Sequence, residues 1–228
     1  MYIIRADGNI AIGMGHVMRC LSIADAMKEK NIVPVFMTAD NDCVSMIEDR
    51  GYKVHILGTD YRNMESEIPL IRNYLETQNK GAKEIPAILV DSYQVTSRYY
   101  EELRKLAKVA CLEDMGQSYP VDLLVNYNIY GPKLVYDNKI THATLLGTGY
   151  QPLRREFQQD IQYDIKNKIT DVMITTGGSD PYFAARAFTD TFLSEKELKE
   201  AQIRYHIISG PFNTHAEELH KLYDETPW

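Results

Sequence analysis

The sequence is poor in several features that mark whole protein classes. Among 228 residues there are three cysteines and one tryptophan. Cys20, Cys43 and Cys111 are too few and too scattered for a disulfide framework or a zinc site. Their apolar neighbours suit buried small hydrophobes. Long apolar runs are missing too. Stretches such as Ala87–Val90 fall far short of the roughly 20 residues of a spanning helix, so no membrane partner is expected. Positive charge is short: 25 Lys and Arg face 32 Asp and Glu, a formal net charge of −7. Nucleic-acid binding rests on clustered Lys and Arg, so no nucleic-acid partner is expected either. A single anionic small molecule remains compatible, because backbone donors at a helix start can hold a phosphate in an acidic protein. Met1–Asp7 shows no basic region followed by a long apolar one, and a cytoplasmic location is the expectation.

What is present is a foldable pattern. Forty-four per cent of the residues are hydrophobic, and apolar runs recur along the chain. Short strand-like runs occur at Tyr2–Arg5, Val33–Thr38, Lys53–Ile56, Ala87–Asp91, Lys108–Leu112, Leu123–Asn126 and Thr144–Leu146. Two more lie at Asp171–Thr175 and Ile203–Ile208. Most lack strict alternation, which suits central strands of a parallel sheet covered on both faces. Between them run helical patterns. In His16–Glu29, residues Val17, Cys20, Leu21, Ala24 and Met27 share one face; Thr96–Ala107 reads likewise through Tyr99, Leu103 and Leu106. Alternating strand and helix predicts an α/β protein with right-handed crossovers. Glycines and charges after Leu146 suggest a first domain over 1–150, a linker over 151–169 and a second, shorter series over 170–228.

Three strand-to-helix turns attract chemistry. The first, Asp7–Arg19, holds Gly13 and Gly15, which permit close backbone approaches, and His16 at the helix entrance. An imidazole there can take or give a proton near neutral pH, beside a helix end that favours a phosphate or developing anion. Arg19 lies one turn on, near His16. A dinucleotide fingerprint fits poorly, since Met18 stands where a third glycine belongs. A plain glycine turn with a solvated histidine fits the same residues. The second turn, Thr175–Pro181, pairs Gly177 and Gly178 with Ser179 and Asp180, which suit anion binding or simple capping. In the third, Ser209–His215, Asn213 suits a helix cap. Polar residues at strand ends, Asp91-Ser92-Tyr93, Glu113-Asp114 and Asn126-Tyr127-Asn128, fall where open α/β sheets line a ligand crevice, and where turn chemistry would place them as well.

Together these residues resemble the UDP-sugar hydrolase family of pseudaminic-acid biosynthesis (UDP-2,4-diacetamido-2,4,6-trideoxy-β-L-altropyranose hydrolase) and the related spore-coat polysaccharide biosynthesis proteins. The resemblance rests on Arg5-Ala6-Asp7, Ile12–Leu21, Asp91-Ser92-Tyr93, Val121–Tyr130, Leu146–Phe157, Gly177–Pro181 and Asn213-Thr214-His215, in that order. It departs at Gly147-Thr148-Gly149, where the family often has Gly-Pro, and at Thr214, where proline is common. The resemblance implies a GT-B fold, two Rossmann-like domains facing a cleft. It implies His16 as the base that activates water against the anomeric carbon, with UDP leaving, and Tyr93 as an active-site tyrosine. Arg5, Asp7, Gly13, Gly15, Arg19, Asp91 and Asn128 are then expected at the substrate; Gly177, Gly178, Ser179, Asp180 and Asn213 are expected at the nucleotide. No metal or cofactor is implied. The family continues with further strand–helix units, so the C-terminal domain reads as incomplete after Trp228, its missing half supplied by a longer gene product or a partner chain. Two alternatives stay open: a GT-B glycosyltransferase, or a nucleotide-sugar-binding module without independent activity.

Overall fold

The computed structural model describes residues 1–78, 85–159, 162, 164–200, 203–210 and 212–224. Pro211, Trp228 and the linker positions Asp160, Ile161 and Tyr163 lie outside them. The chain divides into two compact units, Met1–Gly8 with Met14–Gln159, and Asn9–Gly13 with Asp160–Trp228.

The first unit is Rossmann-like. Strands β1 (Tyr2–Ala6), β2 (Val35–Thr38), β3 (Val54–Ile56), β4 (Ala87–Asp91), β5 (Lys108–Leu112), β6 (Leu123–Asn126) and β7 (Thr144–Leu146) form one parallel sheet in the order β3-β2-β1-β4-β5-β6-β7. Helices α1 (Gly15–Glu29), α2 (Val44–Asp49), α3 (Ile68–Gln78) and α4 (Ser97–Arg104) flank it. The strand runs that lack alternation are buried on both faces, as Ile3, Ile4 and Ala6 are in β1. On one face, Ile3, Ile88, Val90, Val109 and Leu124 join one core with Ile71 of α3 and Tyr99, Tyr100 and Leu103 of α4. Neighbouring residues of a strand point to opposite faces. α1 packs on β1 through Val17, Cys20, Leu21 and Ala24, whose i, i+3, i+4, i+7 spacing makes one buried stripe. All three cysteines are buried and unpaired.

Several boundaries move for identifiable reasons. β2 begins at Val35, because Pro34 has no N–H for the ladder. Thr96 is the cap of α4 and not its first residue; its Oγ1 accepts the Tyr99 N–H at 3.1 Å. The described connections from β5 to β6 and from β6 to β7 contain no α-helix. An apolar cavity of about 480 Å³ lies against that part of the sheet, walled by Ile23 and Met27 of α1 and by Leu123, Val125, Leu145 and Pro152.

The topology singles out one place. β1, β2 and β3 step outward in one direction, and β4 then returns to the other side of β1, with Ala6 opposite Asp91. The strand order reverses between β1 and β4. In open α/β sheets the carboxyl ends at such a reversal diverge into a crevice that takes ligands.

The second unit holds a parallel pair, β8 (Asp171–Thr175) and β9 (Arg204–Ile208), with α5 (Ala184–Ser194), α6 (Lys196–Glu200) and α7 (Ala216–Asp224). Among the described residues, no helix is long and apolar enough to cross a membrane.

Candidate active site

The reversal point is where the chemistry-bearing side chains of the first unit meet. His16 is the second residue of α1, and Asp91 is the last residue of β4. His16 Nδ1 lies 2.7 Å from Asp91 Oδ1, and both side chains are buried. Arg19, one turn further along α1, grips the same carboxylate with Nε on Oδ2 and Nη2 on Oδ1. Its Nη1 donates to the Tyr127 hydroxyl at 2.7 Å and reaches Asp114 Oδ2 at 3.4 Å. The Tyr93 hydroxyl donates to Asp114 Oδ2 at 2.7 Å. The Tyr93 ring meets the His16 ring edge-on, with centroids 4.7 Å apart. Thus α1 supplies the imidazole and guanidinium, while the carboxylates and phenols come from the exits of β4, β5 and β6.

This arrangement selects one tautomer. Arg19 Nη2 also lies 3.0 Å from His16 Nδ1. A bare Nδ1 lone pair would face the Asp91 oxygen at 2.7 Å, which is repulsive; a protonated Nδ1 donates to it. Arg19 is satisfied by Asp91 in either case. The neutral imidazole therefore has its proton on Nδ1, and Nε2 has no hydrogen-bond partner among the described residues. Burial acts to raise the Asp91 carboxyl, but the hydrogen bonds from Arg19 and His16 outweigh it and hold the group below the usual carboxylate range. Burial would lower the Arg19 guanidinium, yet the bonds from Asp91 keep it firmly cationic. The Tyr93 phenol is pushed up to about 12, by burial first and then by its bond to Asp114, so it stays protonated at neutral pH.

The turn that delivers His16 is shaped by two residues. Gly13 has φ +72°, a left-handed conformation that other side chains resist. Asn9 folds the loop by accepting the Ala11 and Ile12 N–H groups on Oδ1 at 3.0 and 3.1 Å. Gly15 has open space where a Cβ would sit.

Other expected substrate residues stand apart from this cluster. Arg5 is fully buried, with Nε on Glu67 at 2.8 Å and Nη1 beside Asp7 at 2.7 Å. Asp7 also accepts the Ala39 N–H at 2.7 Å. These groups brace β1 against β2 and the 64–67 turn, and in this conformation they are committed to one another. Asn128 donates from both its nitrogens to Asn126 Oδ1. Asp114 and Tyr127, which join the cluster, were marked in the sequence only by their place at strand ends.

In the second unit, the residues expected at the nucleotide come together around two touching turns. Asp180 accepts the Ala184 and Ala185 N–H groups at 2.8 and 3.1 Å, capping α5. Asn213 Oδ1 accepts the His215 N–H at 2.9 Å, and its amide reaches Ser209 at 3.1 Å. The Phe212 N–H donates to the Gly178 carbonyl at 2.9 Å. Gly177 has φ +81°. Ser179 lies between these glycines and the Asp180 cap, in the same turn. Gly210 of the third turn lets the turns meet: a Cβ there would fall 2.4 Å from the Gly177 oxygen. Among the described residues, no group of three His, Cys, Asp or Glu side chains could hold a metal ion.

No protein-family model matches this chain. It is similar to an uncharacterized protein of Methanocaldococcus jannaschii, 27% identical over 229 residues. The match covers 95% of this chain and 44% of the archaeal protein, so the chain spans less than half of that relative's length.

Proposed function

We propose that this chain is a nucleotide-sugar hydrolase of the GT-B type that releases UDP from a UDP-linked amino-deoxy sugar, in nonulosonic-acid or surface-polysaccharide synthesis. The observation that supports this reading most is the His16–Asp91 pair at the strand-order reversal, with Nδ1 engaged and Nε2 free. In this reading His16 Nε2 takes a proton from water as the water oxygen attacks the anomeric carbon. The bond from that carbon to the diphosphate oxygen breaks, and its electron pair leaves with UDP. The proton stays on His16 until solvent removes it, and the free sugar keeps the new hydroxyl. Asp91 holds the ring in place and stabilises the imidazolium that forms, while Arg19 fixes Asp91. Tyr93, protonated and beside the imidazole, orients the sugar. The Gly177–Asp180 turn and Asn213 lie on the nucleotide side of this scheme, and the resemblance of the ordered motifs supports that assignment.

Incubation with a panel of UDP-sugars, following free UDP, tests the reading. His16→Ala is expected to abolish release while leaving the circular-dichroism spectrum unchanged, and Tyr93→Phe to slow it by about 10–100-fold, the range for one positioned proton or hydrogen-bond group. Release at the wild-type rate by the His16 variant would refute the base assignment.

A further inference from the structure

Asp114 has spare acceptor capacity at the mouth of the site. Its Oδ2 takes the Tyr93 hydroxyl and faces Arg19 Nη1. Its Oδ1 is buried and meets no hydrogen-bond donor among the described residues. Buried carboxylate oxygens are normally paired, and leaving one unmet is costly. The carboxylate is also firmly presented. Glu113 Oε1 accepts the Met115 and Gln117 N–H groups at 2.6 and 3.0 Å, which closes the turn after β5. The Tyr130 hydroxyl donates to the Asp114 carbonyl at 2.9 Å. Tyr93, whose hydroxyl is bonded to the same carboxylate, is 57% exposed.

We propose that Asp114 is the specificity-determining acceptor of this site, taking a hydroxyl or amide N–H carried by the sugar part of the ligand. The inference rests on the nucleotide-sugar reading above and adds to it the group that the site reads: a hydroxyl or acylamino N–H on a sugar carbon near the anomeric one. The last torsion of an aspartate is broad, so either oxygen can turn toward the entering donor while the other keeps Tyr93. A site built around an acceptor discriminates strongly, because a ligand lacking the donor leaves the carboxylate unmet. Arg19 and Tyr127 do not compete for this role. Arg19 is consumed by Asp91 and Tyr127, and the Tyr127 hydroxyl is occupied by Arg19.

The test measures binding, so that it stands apart from turnover. In the His16→Ala background, affinities for UDP-N-acetylglucosamine, UDP-glucose and UDP are measured by calorimetry, with and without Asp114→Ala and Asp114→Asn. Both substitutions are expected to weaken the better-bound UDP-sugar by about 10–100-fold, and to leave UDP, which lacks the sugar, within about 2-fold. Thermal melting confirms that each variant is folded; Asp114→Asn, which keeps the side-chain shape, serves if Asp114→Ala is not. Equal losses for UDP and the UDP-sugar, or no loss for either, overturn the Asp114 assignment. No UDP release from any UDP-sugar by the wild-type chain, with the Asp114 effect on affinity intact, would sink the hydrolase reading alone. A chain that binds none of the three compounds overturns both.

Discussion

At the scale of single residues, the site is a small set of charges removed from water and matched to one another. Asp91 shows how delicate that is. Its carboxylate is 1% exposed and accepts from His16, Arg19 and the Cys20 thiol. Removing its charge leaves the guanidinium only the longer contact to Asp114, and breaking a buried pair costs far more than the pair contributes on balance. Asp91→Asn is expected to lower stability by about 2–4 kcal/mol at pH 7. The pH dependence follows from the direction of the shift. Folding holds this carboxyl below its unfolded value, near 4. Its stabilisation is therefore complete above about pH 4 and fades as pH falls through the folded value. Urea unfolding should show the gap between wild type and variant closing as pH drops below about 4; a gap that persists to pH 2 would mean that ionised Asp91 is not its source. His16, Arg19, Asp91 and Tyr93 were legible in the sequence because a strand-end rule and a helix-start rule each act over a few neighbouring residues. Arg5 and Asp7 carried the same local signal, yet Arg5 pairs with Glu67, some sixty positions away, and Asp7 pairs with Arg5. Nothing near Arg5 in the sequence announces that partner, so its burial could not be read there.

At the scale of elements, legibility follows length and punctuation. β1, β4 and β5 were readable as apolar runs bounded by charged or turn residues. The apolar run of β2 extends back to Val33, but Pro34 cuts the strand short of it and Val33 is 59% exposed. α2 has six residues, too few for a periodic signal. α3 did carry one, with Ile68, Ile71 and Leu75 buried at i, i+3 and i+7, but Pro69 at its second position obscured the start. The turns of the second unit show what a single missing methyl does. Gly210 stands with the Gly177 and Gly178 oxygens 2.4 and 2.5 Å from where its Cβ would be, and these are backbone atoms that cannot swing aside. Gly210→Ala is expected to cost about 1–3 kcal/mol by overpacking. Hydrogen exchange should register the loss at β8, β9 and the start of α5, while β1 and β4 keep their protection. Unchanged protection at β8 and β9 would show that the turns can part without cost.

At the scale of the whole molecule, the two units differ in how much structure each residue can lean on. In the first, β1 and β4 are paired on both sides, and helices cover them. Their amides can exchange only when much of that unit opens. In the second, β8 and β9 pair with each other alone among the described residues, so each has an open edge. Alternate residues of both strands face solvent; Met173 is 69% and Ile208 48% exposed. Ala185 and Leu219 are among its few fully buried apolar side chains. Two-stranded sheets have little stability of their own, and local opening draws on whatever packing is nearby. Native-state hydrogen exchange is therefore expected to be at least about 100-fold faster at Val172–Thr175 and Tyr205–Ile208 than at Ile3–Arg5 and Ile88–Val90. That ratio corresponds to an opening free energy lower by about 2.7 kcal/mol. UDP at saturating concentration should narrow the gap if the second unit carries the nucleotide, since a ligand that binds only the closed form stabilises it by mass action. Equal protection in both units without UDP would mean that they open as one cooperative body. Protection of the second unit that ignores UDP would place the nucleotide elsewhere.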